Sequence, residues 1–493
     1  MMKGKTKIIL TNVETGEQEI HEDENLVTTA LDKIINIEMA MNHAPNDRIL
    51  PIATNALGGI MLFDGELTED VNNIHFPVEA HLVGYANQGT NTSDRYRGSY
   101  NSTESGKTEE GYVSVWDFGT HQANGVIRSV ARTSNYGGQC PLVYTTGPSD
   151  VQTESGAPAN DSGWCPIRYD GEYLYLLKGN TSNHVMRLAR TRIPSLKFGV
   201  ADYSNVARTY EILASWNTKV TTYTYYNNAQ HQYEYTQDVY ADDPQMYEDG
   251  HDGYIYCVFY GVDRTYKDYD YDITYFTIQY DGDEEHNYTR SESHQLVSGT
   301  SYYASGTTGS MWYANRLYGH VYKGTLYRMS NDRKSIWKIP LDNVAAAVST
   351  RVITSSSSDY IYNLRYYMLN SGVLWFMVYH YTESSYNYLG GIYYPDGYYV
   401  VNDVSYTGTN YYPESEQYKW NQVRTCDDDL LMWRWYQNYT SYTYLFRNWA
   451  PNYLGTINNL EQVVTKTAAQ TMKIVYTLTD IDEAEEEEEG SAE

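Results

Sequence analysis

"GYIYCVFYGVDRTYKDYDYDITYFTIQYDGDEE", Gly253–Glu285, decides how the chain is read. It holds two runs, Tyr254–Tyr260 and Ile273–Tyr280, in which apolar, β-branched and aromatic residues follow one another without a helical period. Such runs read as strands, and the polar stretch between them reads as a turn. Tyrosine stands at nearly every other position. It suits half-buried places, where the ring packs on apolar surface and the hydroxyl reaches water or a hydrogen-bond partner.

Four other segments repeat the plan: Asp170–Thr191, Lys323–Asn343, Ser371–Gly397 and Asp427–Trp449. Each opens with a polar turn, then gives a strand, a turn and a second strand. Counting the opening stretch from Asp252, the starts lie 82, 71, 48 and 56 residues apart. Recurrent β units with insertions, each unable to bury both faces alone, predict a β-propeller of about five or six blades. A β-sandwich is the competing fold. "TTYTYYNNAQHQYEYT" (Thr221–Thr236) reads as a further hairpin, either an insertion or a sixth blade.

The chain is mainly β, with a small α+β domain expected at its start. "KTKIILTNV" and "QEIHED" form a hairpin around "ETGE". Leu26, Ala30, Leu31, Ile34, Ile35, Glu38 and Met39 recur at helical spacing, with Asn25 as N-cap and Pro45 beyond the end, which predicts a helix over 26–42. Strands follow at 58–67, 112–118 and 125–133. The expected division is 1–135 for this domain, 136–464 for the propeller, 465–481 for a strand that closes the ring or returns to the first domain, and 482–493 for a solvated acidic tail.

Composition narrows the function classes. The 493 residues carry 63 acidic and 35 basic side chains, a net charge of −28, and no basic cluster. That disfavours a nucleic-acid partner. No run of about 18 apolar residues suggests a membrane span, and the start does not read as a signal peptide, so synthesis in a cytoplasm is expected. Four cysteines without C-x-x-C spacing read as reduced thiols, Cys257 and Cys426 as small core residues.

Catalytic signatures are missing: no G-x-S-x-G, H-E-x-x-H, P-loop or dinucleotide fingerprint occurs, and no carboxylate pair is singled out by spacing. Asp268, Asp270 and Asp272 would share one face of an extended strand and invite a cation such as Ca²⁺, although Ile273 stands where an EF-hand loop needs glycine. A solvated acidic strand end is the plainer reading of the three, and no other cofactor is indicated. Ser330, Asp332 and Trp337 resemble the Asp-box of sialidase-type propellers, with Lys334 in place of its glycine, and that motif implies a turn between blade strands. Exposed aromatics are the better lead. Trp312, Tyr313, Tyr393, Tyr394, Trp433, Trp435 and Tyr436 are candidate stacking surfaces for sugar rings, with packing between blades as the other use for each of them.

Three stretches also carry a resemblance. "KGKTKIILTNVETGEQE" followed by "NLVTTALDKI", then "VWDFGTHQANGVIRSVARTS", and finally "KTAAQTMKIVYTLTD" are similar to segments of tail-associated structural proteins of tailed bacteriophages and prophages of Gram-positive gut bacteria. The resemblance covers residues 1–135 and 465–480 and includes no catalytic motif. It implies a virion protein of the tail fibre, tail tip or baseplate, present in multiple copies, with other tail proteins and a host cell-wall glycan as partners. A glycan depolymerase or sialidase-like hydrolase on the same fold, or a purely architectural tail protein, are the alternatives.

Overall fold

The computed structural model describes residues 2–31, 49–91, 93–135, 137–138, 154–155, 165–169, 173–180, 183–192, 211–226, 234–240, 246–260, 273–280, 288–292, 294–296, 319–330, 332–354, 359–368, 371–382, 385–401, 423–425, 432–437, 444–449 and 452–480. In chain order the first strands are β1 (Met2–Asn12), β2 (Gln18–Val27), β3 (Gly59–Phe63), β4 (Leu82–Ala86), β5 (Ser99–Tyr100), β6 (Gly106–Thr108), β7 (Gly111–Phe118) and β8 (Gly125–Thr133). The middle of the chain adds β9 (Glu154–Ser155), β10 (Cys165–Tyr169), β11 (Tyr173–Asn180), β12 (Val185–Arg192), β13 (Glu211–Asn217), β14 (Lys219–Tyr226) and β15 (Glu234–Tyr240). Next come β16 (Met246–Asp249), β17 (Tyr254–Tyr260), β18 (Ile273–Gln279), β19 (Thr289–Arg290), β20 (His294–Leu296), β21 (Gly319–Tyr322), β22 (Thr325–Met329), β23 (Ser335–Pro340) and β24 (Val348–Arg351). The rest are β25 (Tyr360–Met368), β26 (Leu374–Thr382), β27 (Ser385–Tyr393), β28 (Tyr399–Val401), β29 (Val423–Thr425), β30 (Met432–Gln437), β31 (Tyr444–Trp449), β32 (Thr456–Lys466) and β33 (Gln470–Asp480).

The two ends of the chain build one antiparallel sheet in the order β4-β3-β8-β32-β2-β1-β33-β7-β5, with β6 on β7. It curls until its ends almost meet: Tyr85 N–H donates to Tyr96 O (2.8 Å) and Gly98 N–H to Tyr85 O (2.9 Å). Alternation gives the curled sheet an apolar inner face and a polar outer one. Along β1, Thr6, Ile8 and Leu10 are buried while Lys3 and Lys5 are exposed. The lysines pair across the outer face, Lys5 and Lys7 with Glu22 of β2. Trp116, Tyr476 and Ile474 fill the interior with Ile8, Leu62 and Phe118.

Arg132 sits among them, 1% exposed. Its guanidinium lies 4.6 Å from the Trp116 ring centroid and 4.5 Å from that of Tyr476, and its Nε donates to Gly59 O at 3.2 Å. Burial pushes the guanidinium down to about 10. Gly4 makes room for this arrangement, because a Cβ there would run into the Tyr476 hydroxyl.

The expected helix over 26–42 is corrected at its start. Leu26 and Val27 belong to β2, paired with Ile457 and Thr456 of β32, and helical backbone begins only at Ala30–Leu31. Asn25 is a strand residue bonded to Thr6 rather than an N-cap. Tertiary pairing overrode the helical period there; Ile34, Ile35 and Met39 lie outside the described residues. The expected boundary at 464 also moves, since β32 lies in this sheet as well as β33. Residues 481–493 lie outside the described residues.

Between β8 and β32 the chain forms separate small sheets: β10-β11-β12-β13, β14-β15, β16-β17-β18-β19 with β20 on β18, β21-β22-β23-β24, β25-β26-β27-β28, and β29-β30-β31-β9. The last takes its outer strand from before the first sheet: Glu154 and Ser155 pair with Phe446 and Leu445. The leading strands β10, β16, β21, β25 and β29 neighbour one another in cyclic order, β29 returning to β10. Among the described residues the seams that join the sheets of β10–β13, β16–β20, β21–β24 and β25–β28 in succession are apolar. Ile255 and Cys257 of β17 pack on Leu177, Met186 and Leu188, whereas Tyr256 and Val258 pack on Val321, Leu326 and Ile339. That is why the opening stretch is apolar on both faces. The Tyr256 hydroxyl donates to Asp252 Oδ2 at 2.8 Å, and the Tyr280 hydroxyl to Asp249 Oδ1 at 2.5 Å.

The Asp-box-like stretch forms the β22–β23 turn. Ser330 Oγ donates to Asp332 Oδ1, Lys334 N–H donates to the same oxygen, and Arg333 takes a φ of 55°.

Two outcomes are expected. Truncation after Ala469 removes the strand between β1 and β7, so a chain ending there should lose the cooperative unfolding transition of the end sheet in calorimetry. The second concerns Lys466, 1% exposed, whose Nζ donates to Gly119 O and Asn124 Oδ1 at 2.8 Å each. Burial pulls its pKa from 10.5 down to about 8. Between those values the unfolded chain holds the extra proton, so stability rises with pH. From pH 8 to 10 the gain should be on the order of 2 kcal/mol. Above about pH 10 buried Tyr453 and Tyr476, whose pKa values burial raises, act in the opposite sense. Denaturant titrations of Lys466→Met should show the rise between pH 8 and 10 abolished.

Candidate functional site

Two polar constellations stand out against the apolar seams. The first lies on the leading strands of three small sheets. Glu248 and Asp249 are consecutive in β16 and so face opposite sides. Glu248 Oε1 lies 3.1 Å from Nδ1 of His320 in β21, and Asp249 Oδ2 lies 4.0 Å from Nε of Arg168 in β10. Arg168 also sits 4.7 Å over the Tyr280 ring. His320 is 2% exposed, and its Nε2 is buried without a hydrogen-bond partner among the described residues. Each carboxylate thus ties β16 to a different neighbouring sheet. Facing apart, the two cannot flank one scissile bond as a glycosidase pair would.

The second lies where the end sheet meets the sheet β25–β28. Met61, Phe63, Phe76, Leu82 and Leu454 share one core with Trp375, Ile392, Tyr394 and Val400. Phe76 meets Trp375 edge to face at 5.5 Å. On the rim of this core, His81 stacks on Tyr398 at 4.0 Å, with Nδ1 3.3 Å from Asp64 Oδ2 and Nε2 2.9 Å from Asp396 Oδ2. An imidazolium donates to both carboxylates; a neutral ring donates to one and turns a lone pair on the other. Burial raises the Tyr398 phenol to about 12. Gly397, at a φ of 95°, lets the Tyr394–Tyr398 turn close.

The sequence-predicted aromatics divide into three groups. Tyr393 and Tyr394 are corrected: they are 1% and 0% exposed and serve as core. The Tyr393 hydroxyl lies 3.0 Å from Thr350 Oγ1, and the Tyr394 hydroxyl accepts the Leu82 N–H at 3.0 Å. Both rings sit where a second sheet covers the strand, which a single strand's pattern cannot reveal. Trp433, Trp435 and Tyr436 lie in β30. Trp312 and Tyr313 lie outside the described residues, as do Asp268, Asp270 and Asp272. Among the described residues no cluster of His, Cys, Asp and Glu could hold a metal ion. Cys257 is a buried core residue outside any disulfide, as expected. No helix among the described residues is long and apolar enough to cross a membrane.

Sequence reading missed Arg168, Glu248, Asp249 and His320, and it missed His81 with Asp64 and Asp396. The first group left a faint signal, charged residues inside short strand-like runs ("MYED", "GHVY"). The second joins positions 315 residues apart and left none.

No protein-family model matches the chain, and no curated protein sequence matches it. Solved structures match at a distance. An acylaminoacyl peptidase of Pyrococcus horikoshii aligns over 59% of this chain and 52% of its own, at 9% identity and a TM-score of 0.25, so the chain spans about half of that enzyme. A catalytically inactive variant of virginiamycin B lyase from Staphylococcus aureus, solved with quinupristin, aligns over 67% of this chain and 99% of its own, at 10% identity and a TM-score of 0.25. A glycoside hydrolase aligns over 64% of each chain, at 11% identity and the same TM-score. These values carry no argument about activity.

The seam makes a testable claim. Tyr394→Phe leaves the Leu82 N–H without its acceptor and should cost about 1–3 kcal/mol. Trp375→Ala should cost about 3–5 kcal/mol. Both are read from denaturant unfolding, where the end sheet and the small sheets should melt apart in the tryptophan variant.

Proposed function

We propose that the chain is a structural protein of a bacteriophage or prophage tail. In this reading the sheet made by the chain ends docks to other tail proteins. The inserted small sheets form a five-bladed β-propeller that binds the bacterial surface, with a cell-wall glycan as ligand. One observation carries the reading. The three stretches that resemble tail proteins lie far apart in sequence, yet they supply adjoining strands of one sheet: β1 pairs with β33, and β33 pairs with β7. β8, from the second stretch, pairs with β3 and β32 of the same sheet.

The blade count rests on the five sheets whose leading strands neighbour one another in a cycle, with β9 adding the last strand to the fifth. Borrowing a strand from the other end of the inserted segment is how a propeller ring resists opening. The two-stranded sheet β14-β15 then counts as an insertion rather than a sixth blade. Splicing the ring into a loop of the docking sheet leaves that sheet free to bind its partners while the ring faces outward.

The proposal is tested by retention of the purified protein on cell walls of candidate Gram-positive hosts, with an assay of released sugar alongside. Retention without release is expected. Trp312→Ala, Tyr313→Ala, Trp433→Ala, Trp435→Ala and Tyr436→Ala should each be examined. Loss of an exposed stacking ring costs about 1–2 kcal/mol, roughly a fivefold to thirtyfold loss of affinity. Salt should have little effect on it. Sugar release would instead favour a depolymerase, and assembly into tails without any retention would favour a purely architectural part.

A further inference from the structure

The first half of β2 is an open edge of the end sheet. β32 pairs with β2 only at Leu26 and Val27, and Thr28 N–H donates to Gly455 O just beyond them (3.1 Å). Over Gln18–Glu24 no other strand stands on that side among the described residues. The ladder with β1 shows which backbone groups are left over. Asn12 N–H donates to Glu17 O at 2.9 Å, in step with the pair Thr11–Gln18. Bonded and non-bonded pairs alternate along an antiparallel ladder. Glu19, His21 and Asp23 therefore point their N–H and C=O groups at β1, while Gln18, Ile20, Glu22 and Glu24 turn theirs outward. Such a row of unpaired groups is a template for one more strand.

The side chains along this edge say what kind of strand fits. Gln18, Glu19, Ile20, Glu22 and Glu24 are exposed and Asp23 is half-buried. Charge alone would serve to keep sheet edges apart. Ile20, 50% exposed in the middle of the row, does not serve that end. On the side that is already paired, the outer face of β2 meets a matching pattern. Lys5 stands across from Glu24, Lys7 across from Glu22 and Ile9 across from Ile20. Lys5 Nζ and Lys7 Nζ lie 3.1 and 2.6 Å from the Glu22 carboxylate. A strand added on the far side would meet the same three residues of β2.

We propose that the Gln18–Glu24 edge of β2 takes up an extended, lysine- or arginine-rich segment of another tail protein as an added strand. The proposal rests on the docking reading above and names the edge and the chemistry of the partner. Backbone hydrogen bonds hold the added strand, and its alternate side chains set the choice. An antiparallel strand with two basic residues followed by an apolar one, each two positions apart, meets Glu24, Glu22 and Ile20 in turn, as Lys5, Lys7 and Ile9 do on the other side. Opposite charges across a ladder stabilise the pairing and like charges oppose it. A second copy offering its own β2 would set an acidic strand against an acidic one. The end of the chain, 481–493, holds acidic residues and no basic one, so it is repelled for the same reason.

The experiment uses the full chain and a labelled peptide with the sequence of Lys3–Asn12, "KGKTKIILTN". Two controls are the same peptide with glutamate for its lysines, and a pair of forms each N-methylated along one edge. Ile20→Pro removes an outward N–H and leaves the bonds to β1, a place where an edge strand tolerates proline. Glu19→Lys/Glu24→Lys keeps the backbone and reverses the charge. Native protein should bind the lysine peptide and one methylated form, less tightly as salt is raised. Ile20→Pro should bind at least tenfold more weakly with its unfolding transition unchanged. The charge variant should lose the lysine peptide and take the glutamate one, which decides the matter if the proline variant does not fold. The inference is overturned if native protein ignores the lysine peptide, if both methylated forms bind alike, if the glutamate peptide binds native protein as well, or if both variants bind as native does. It is also overturned if native protein dimerises in sedimentation and Ile20→Pro abolishes the dimer, because a second copy then holds the edge. Incorporation into tails is scored separately, and Ile20→Pro should be missing from them. If both proteins enter tails and the peptide does not bind, this inference falls and the docking reading stands. If the peptide binds as expected and native protein enters no tail, the docking reading falls and the strand-accepting edge stands.

Discussion

A guanidinium held between two aromatic rings ties the beginning of this chain to its end. Arg132 comes from β8, Trp116 from β7 and Tyr476 from β33, and the three meet in a space closed to water. Buried charge without compensation is expensive, and stacking on two ring faces with hydrogen bonds to Gly59 O and Ser114 Oγ offsets part of that cost. The arrangement works only if β33 lies between β1 and β7. Without it, β1 and β7 would each show an unpaired edge, and Arg132 would lose one of its rings. The end sheet therefore cannot be complete until β33 has been made, and everything between β8 and β32 has to leave and return at neighbouring strands.

That constraint accounts for the unusual tyrosine content. Sheets spliced into a loop and packed side by side bury both faces of their inner strands, so the apolar pattern runs on where a one-sided sheet would alternate. Tyrosine fits such seams when its hydroxyl finds a fixed acceptor at the rim. Asp252 does this for Tyr256 and Asp249 for Tyr280, and Tyr393 shares a hydrogen bond with the Thr350 hydroxyl. Phenylalanine in these places would bury equal ring area and take from Asp252 and Asp249 the hydrogen bond that each accepts from a phenol.

Much of this architecture could be read before any coordinates. The first hairpin, the strand at Gln470–Asp480, the paired strands of the five segments and the Ser330–Trp337 turn all announced themselves through local alternation and turn chemistry. What failed had non-local causes. Leu26 and Val27 carry a helical period, and β32 claims them by pairing from more than 400 residues away. Thr456–Lys466 looked like the tail of the repeat region because nothing in it tells which sheet will take it. Tyr393 and Tyr394 looked like exposed rings for the same reason: a strand pattern shows that a residue faces one side, never what stands on that side. The polar pairs Glu248–His320 and Asp249–Arg168 join different sheets, so they become visible only when the sheets are set next to each other.

The core shared by the end sheet and the sheet β25–β28 gives the two parts a fixed relation. Phe63, Phe76, Trp375 and Tyr394 interlock there, and the His81 imidazole bridges Asp64 on one side to Asp396 on the other. A flexible tether would let an inserted ring reorient; an aromatic core of this kind resists it, because close-packed side chains do not slide without opening voids. In the proposed role this matters more than the strength of any single contact. A surface-binding ring rigidly set on its docking sheet presents its ligand face in one direction relative to the tail, so several copies can engage one wall together, and weak single-site stacking adds up through effective concentration. The same rigidity explains why function need not be sought in the seams themselves. Their aromatic residues are committed to holding the two parts in register, so in the proposed role the ligand is met elsewhere on the ring.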